Sequence, residues 1–187
     1  MESAELIYVQ KAKQGDLNAF RILVEQNKHI LLSLAQAILK DRDWAEDVLQ
    51  EALIKVFQKI NSFKEEASFR SWLYRIVINT AYNASKKRNR YQVFKKQLGE
   101  STSVRVENKN PIQMEEQKKY IQAVLDNLKR DQALLLRLYY LCELSLAEIA
   151  EVTGFKKAKI KTDLYRGRKN FKAGLTKLLG NEINGIL

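Results

Sequence analysis

Apolar residues recur at spacings of three and four along most of the chain while apolar–polar alternation is scarce, a pattern that predicts an all-α fold. Gly15 and Asp16 interrupt a short first helix and open a second at Leu17, with apolar positions Phe20, Leu23, Val24, Ile30, Leu31, Leu34, Ala35 and Ile38. Asp41-Arg42-Asp43 turns the chain into a third helix, Trp44 to Ile60, whose inner face is Ala45, Val48, Leu49, Ala52, Val56 and Ile60. Its outer face carries Asp47, Gln50, Glu51, Ile54 and Gln58. An apolar side chain set among carboxylates and amides has the make-up of a docking surface, although single exposed apolar residues are also ordinary.

A fourth helix is predicted from Ser68, placed as its N-cap, to Arg90. Phe69, Trp72, Leu73, Ile76, Val77, Thr80 and Ala84 share one side. The opposite side carries Ser71, Arg75, Ile78, Tyr82 and Lys86, flanked by Tyr74 and Asn79, before the cations Lys87, Arg88 and Arg90. Rings interleaved with cations suit a nucleic-acid strand, because bases stack on rings while phosphates are neutralised. The same residues also suit a core helix whose terminal cations complement the helix dipole. The short loop before it, Asn61 to Ala67, brings Phe63 alongside, either to fill a core gap or to line a pocket for an unstacked base.

Periodicity fades from Tyr91 to Lys118, where Gly99 to Ser103 and Glu107 to Pro111 read as loop. The pattern therefore divides the chain into two small helical domains, residues 1–90 and 119–187, joined by a flexible linker at 91–118. In the second segment, helices are expected from about Ile112 to Leu128 and from Asp131 to Leu141, the latter with Leu134, Leu135, Leu138 and Leu141 inward. Ser145-Leu146-Ala147-Glu148 is a capping box, and Gly154 ends the helix it starts in a left-handed turn. A further helix follows with Ile160, Leu164, Gly167, Phe171, Leu175 and Leu178 on one face. Short helix, glycine turn and second helix make a helix-turn-helix. The outward face of the second helix offers Lys157, Lys159, Lys161, Thr162, Tyr165, Arg166, Arg168 and Lys169, and from Lys156 to Lys172 there are eight cations against one anion, Asp163. One helix thus supplies both packing residues and outward donors, as major-groove insertion requires, while a solvated basic helix in a bundle carries the same pattern.

Charge and composition narrow the picture further. The chain of 187 residues is 45% hydrophobic, enough for cores, and carries a net charge of +11 that is heaviest in its C-terminal part. The surplus favours a polyanionic partner, although a charged surface also serves solubility alone. Cys142 is the only cysteine, so neither a disulfide framework nor a cysteine zinc cluster is available, and a reducing cytoplasm fits. No signal-peptide core or run near the length of a membrane span occurs. His29, the sole histidine, lies mid-helix, and no phosphate-cradling loop, nucleophile triad or metal-spaced cluster is present. Glu46, Asp47 and Glu51 read as helix-start carboxylates rather than metal ligands. No enzyme, cofactor or metal is expected.

Gly15-Asp16-x-x-Ala19-Phe20, Glu46-Asp47-Val48-x-Gln50-Glu51, Ser62-Phe63 and Phe69-x-x-Trp72-Leu73-Tyr74-Arg75-Ile76-x-x-Asn79 resemble, in order and spacing, the second conserved region of bacterial RNA polymerase sigma factors of the extracytoplasmic function type. Glu148-Ile149-Ala150 and Tyr165-Arg166-x-Arg168 resemble the fourth conserved region of the same family. The resemblance implies that Asp47, Gln50, Glu51 and Ile54 dock on core RNA polymerase. It implies further that Phe63, Tyr74, Arg75, Asn79, Tyr82 and Lys86 capture the melted minus-ten strand, and that the cationic face of the last helix reads the minus-thirty-five element. Promoter DNA and core polymerase are the implied partners, and an anti-sigma factor is one that many relatives use. The chain departs from the family at Glu65-Glu66, where a glycine and an aspartate are frequent, and at Asp163, where an arginine is usual. The rival reading is a stand-alone helix-turn-helix regulator with an unrelated helical domain, which leaves the outer face of the third helix without a role.

Overall fold

The computed structural model describes residues 2–97 and 116–179. Four helices build the N-terminal domain: α1 (Glu2–Lys13), α2 (Leu17–Leu39), α3 (Arg42–Lys59) and α4 (Phe69–Gln97). The caps anticipated from the sequence set their limits. Asp16 accepts from the amides of Asn18 and Ala19 at 2.9 and 3.0 Å, giving the N-terminus of α2 two of its missing acceptors. Lys40 ends α2 in a left-handed conformation at φ 59°, and Asp41 at once starts the next helix by accepting from the Trp44 amide at 3.0 Å. That cap is why α3 begins two residues before Trp44. Leu23, Leu31, Leu34 and Ile38 of α2 close on Ala45, Val48, Ala52 and Val56 of α3 and on Leu73, Val77 and Ala81 of α4, all buried. Each of the larger side chains contributes about 1.5–3 kcal/mol by leaving water. Helix α4 does not stop at Arg90. It continues to Gln97, so residues 91–97 of the expected linker (91–118) are helical, residues 98–115, which include the start of the helix expected from Ile112, lie outside the described residues, and 116–118 belong to the next helix.

The C-terminal domain holds α5 (Glu116–Asn127), α6 (Arg130–Leu136), α7 (Leu146–Thr153) and α8 (Lys157–Leu179). The helix expected from Asp131 to Leu141 narrows to α6 and then widens into a π-turn over Arg137–Leu141, which the Cys142 amide closes on the Arg137 carbonyl at 3.0 Å. Widening the turn shifts the phase of the side chains. Leu134, Leu135 and Leu138 are fully buried as expected, but Leu141 is rotated outward and is 56% exposed. The capping box forms in both directions, Ser145 N to Glu148 Oε2 at 2.8 Å and Glu148 N to Ser145 Oγ at 3.3 Å, and Gly154 takes φ 71°. Ile160 and Leu164 of α8 are buried, whereas Leu178, expected on the same face, is 49% exposed near the end of the helix. Close approach of α5 to α8 depends on Gly174, where a Cβ would come within 2.7 Å of Val124 Cγ1.

The two domains lie against one another. Helix α6 packs across α2, and α7 across α4. Among the described residues no helix is long and apolar enough to cross a membrane.

Candidate nucleic-acid interface

The helix-turn-helix presents α8 with Lys157, Lys161, Thr162, Tyr165, Arg166, Arg168 and Lys169 all exposed and Ile160, Leu164 and Gly167 inward. Tyr165 is 68% exposed. Arg168 is steered by the rings of Tyr139 and Tyr140, whose centroids lie 5.7 and 5.9 Å from its guanidinium. Lys159, expected with the free cations, is engaged instead. Its Nζ bonds Asp131 at 2.6 Å and also Asp163, and sits 4.3 Å from the centre of the Phe155 ring. Burial opposes its charge, but the bonds to the two carboxylates prevail and raise its pKa. Asp163, the departure from the family pattern, is thereby turned inward onto Lys159.

Helix α4 divides differently from the two-sided reading of its sequence. Arg75, Asn79 and Lys86 are exposed, and the same open stripe includes Asn83 and Lys87. The other expected contacts, Tyr74 and Tyr82, face the C-terminal domain together with Ser71 and Ile78. Tyr74 is 4% exposed and lies beside Cys142. Tyr82 donates to Asp131 Oδ1 at 2.9 Å and meets the Phe155 ring edge-on at 6.1 Å. Burial above all, then the partners at each site, raises both phenol pKa values, and burial pushes the Cys142 thiol up to about 12. Asn83 escaped the sequence reading although its spacing of four from Asn79 was the signal for it. Beside the open stripe, a groove of about 710 Å³ runs between α3 and α4 past Trp44, Glu51, Asn83 and Lys87. Arg88 covers Trp44 there at 4.4 Å and reaches Asp41 at 3.6 Å.

Phe63 takes the core position of its two alternatives. It is 4% exposed, packed on Phe69 and Trp72 at centroid distances of 5.6 and 5.4 Å, with Lys13 Nζ bonded to its carbonyl at 2.8 Å. The loop that follows explains the Glu65 departure. Glu65 has φ 61°, a conformation natural to the glycine frequent there in the family, and its carboxylate turns to Gln10 and Lys13 of α1, away from the open stripe.

On α3, Asp47, Gln50, Glu51 and Gln58 are exposed around Ile54, which is 59% exposed. Phe57 at the edge is stacked edge-on against Phe20 at 5.1 Å. Glu51 pairs with Lys55 at 2.6 Å along the helix. His29 is exposed, and among the described residues no group of three or more carboxylates, histidines or cysteines is placed to hold a metal ion.

Comparison with known proteins follows these two surfaces. The sigma-70 region 2 profile matches residues 23–91, and the sigma-70 region 4 profile matches residues 118–171. The chain is 28% identical over 172 residues to the ECF RNA polymerase sigma-E factor of Escherichia coli K12, an alignment that spans 87% of this chain and 90% of the relative. It is 41% identical over 75 residues to the RNA polymerase sigma-H factor of Pseudomonas aeruginosa, covering 40% of this chain and 39% of that protein. Its fold is similar to that of the sigma factor RpoE of Bartonella quintana, solved with the anti-sigma factor NepR (TM-score 0.65, 23% identity, 89% of this chain and 99% of that one). CnrH, solved with the cytosolic domain of CnrY, is similar at TM-score 0.60 and 20% identity over 96% of this chain and 99% of that one. With both conserved regions present, in order, and each built around an exposed donor-rich helix, the chain belongs to the extracytoplasmic-function sigma factors, subunits that direct RNA polymerase to promoters.

Proposed function

We propose that the chain docks on core RNA polymerase through α3 and reads its promoter with α4 and α8. Ile54 carries this reading. An exposed isoleucine ringed by Asp47, Gln50, Glu51 and Gln58 is an apolar anchor with an acidic and amide rim, and a stand-alone DNA-binding regulator has no use for it. Arg75, Asn79, Asn83, Lys86 and Lys87 supply hydrogen-bond donors and cations for the separated minus-ten strand, and Tyr74 and Tyr82 supply rings once the C-terminal domain moves aside. Phe63 supports that surface from beneath by fixing Phe69 and Trp72. Helix α8 enters the major groove, with Lys157, Lys161, Arg166, Arg168 and Lys169 as phosphate and base-edge donors and Thr162 and Tyr165 among them. Lys159 joins them after release from Asp131. The protein performs no bond chemistry of its own and works in the cytoplasm, where an anti-sigma factor can compete for the same surfaces.

The test is a pull-down with purified core polymerase. Ile54→Asp combined with Asp47→Lys is expected to abolish the complex while leaving affinity for a short DNA duplex unchanged. Undiminished polymerase binding by this variant removes α3 as the docking helix. Asn79→Ala and Asn83→Ala are expected to retain polymerase binding and to lose promoter opening, read by permanganate reactivity of unpaired thymines.

A further inference from the structure

The loop between α3 and α4 holds one residue in a conformation that its side chain disfavours. Glu65 has φ 61°, the left-handed region that glycine enters freely and that a residue with a Cβ keeps only when its surroundings hold it there. Two side chains of α1, one turn apart, do the holding. Gln10 Nε2 donates to Glu65 Oε1 at 2.5 Å, and Lys13 Nζ lies 3.5 Å from the same oxygen. That ammonium also donates to the Phe63 carbonyl at 2.8 Å and sits 5.4 Å from the centre of the Phe63 ring. The Lys13 side chain is 20% exposed, so these bonds compete less with water than an open surface pair does.

A further contact reaches past the loop. Arg70 Nε, in the first turn of α4, donates to Glu5 Oε1 at 3.1 Å. Helix α1 thus grips the loop at its start, at its middle and on the helix that follows it. Core packing calls for none of these polar contacts. Phe63, Phe69 and Trp72 already seat the apolar side of the loop on one another, and the buried Val9 and Ala12 seat α1. What the polar contacts add is the course of the backbone over residues 63–68, up to Ser68, which caps α4 by accepting from the Ser71 amide at 3.1 Å. With Glu65 turned onto α1, the loop leaves Lys64 and Glu66 exposed just ahead of the helix that carries Arg75 and Asn79.

We infer that Gln10 and Lys13 are positioning residues for the minus-ten surface: through Glu65 they fix the shape of the loop at its edge, and with it the bases of the separated strand that the surface accepts. Neither residue needs to touch DNA to do so. The selectivity part rests on the assignment of α4 to the minus-ten strand, whereas the clamp on the loop rests on the contacts alone.

Amide hydrogen exchange read by mass spectrometry follows the clamp. Run-off transcription by core polymerase and the full chain, from templates randomised over both promoter elements, gives the base preference at each minus-ten position. Lys13→Met keeps the reach of the side chain and removes its charge. It is expected to speed exchange of the 61–67 amides at least about tenfold at unchanged helix content. It is also expected to shift preference at one or more minus-ten positions about fivefold, at unchanged binding to core polymerase. Gln10→Ala should act in the same direction by less, and Lys13→Arg, which keeps donors for both oxygens, should retain the native preference. Glu65→Gly supplies the residue for which φ 61° is unstrained and removes the carboxylate to be held, so Lys13→Met added to it should shift the preference far less than in the native background. Unchanged exchange in Lys13→Met overturns the clamp. Faster exchange with native base preference overturns the positioning role, as does an equal effect of Lys13→Met in the Glu65→Gly chain. Loss of polymerase binding together with preference overturns it too, since Lys13 would then support the whole domain. Absence of any chain-dependent transcript from the pool overturns the functional reading and leaves exchange to decide the clamp.

Discussion

Arg137 shows how much one side chain can decide. It sits inside the run Leu134-Leu135-Leu136-Arg137-Leu138, and a cation within an apolar run is the signal that a sequence reading can notice without being able to name its partner. The partners, Asp126 and Ser33, come from another helix and another domain, and no local spacing encodes them. Removing one member of a buried pair leaves the other charged and unpaired, which costs about 3–5 kcal/mol, while replacing the cation with an apolar chain of similar length avoids that penalty. Asp126→Ala should therefore lower the unfolding free energy of the chain by about 3 kcal/mol, and Arg137→Met by less, both read from urea denaturation. The opposite order would mean that Arg137 draws its stability from packing. The capping box was legible to the atom, because Ser145 and Glu148 need only their own backbone. Hydrogen bonds from Ser145 hold the Glu148 carboxyl below its ordinary pKa of 4.5. A folded-state pKa below the unfolded value means the unfolded chain binds more protons in acid, so this contribution is present at neutral pH and is lost as pH falls through the carboxylate range. Ser145→Ala should cost about 1 kcal/mol at neutral pH, and NMR titration of Glu148 in that variant should show its pKa rising toward the ordinary value.

At the level of elements, the helices predicted from three-and-four spacing are present, and their N-termini fall where Asp16, Asp41 and Ser145 can cap them. The differences from the expected helices fall at one break in regular α geometry and at one helix end. The π-turn at Arg137–Leu141 places Leu141 at the surface instead of in the core, and spacing of three and four in the order of residues does not show it. Helix α4 runs on to Gln97 through residues where the apolar periodicity fades and a linker is expected. Two charged departures from the family are explained by geometry: Glu65 turns to Lys13 of α1 and Asp163 to Lys159, so each carboxylate is paired within the chain. Gly174 lies within α8 against Val124 of α5. Alanine there gains about 1 kcal/mol of helix propensity, yet its Cβ would come within 2.7 Å of the buried Val124, a β-branched side chain with little room to turn. Overpacking of this kind costs about 1–3 kcal/mol, so Gly174→Ala should be net destabilising by about 1 kcal/mol and lower the melting temperature of the chain. A raised melting temperature would show that α5 and α8 can part to admit a methyl group.

For the whole molecule, what the sequence could not convey was that its two domains meet. Ile78 and Tyr74 read as part of an outer stripe because helical periodicity says which residues share a side and is silent on whether that side is wet. The side became dry because α7 covers it, an event that depends on contacts more than sixty residues away in sequence. Such an interface has a consequence for unfolding. If α2 and α4 remain covered by α6 and α7, neither domain can unfold without exposing the Arg137 guanidinium or the Tyr74 and Ile78 side chains of its neighbour, so each is stabilised by the other. Calorimetry of the native chain should then show one cooperative transition with matching calorimetric and van't Hoff enthalpies. In Ser33→Arg the interface is lost before either core, so the trace should split into two transitions, the less stable domain melting first and below the native midpoint. Adding excess short duplex DNA to that variant should raise only the melting of the domains whose surfaces it binds, by mass action on the folded form. Two transitions already present in the native chain would mean that the domains melt as neighbours without coupling, and that the contacts of Arg137 with Ser33 contribute nothing to stability at the unfolding temperature.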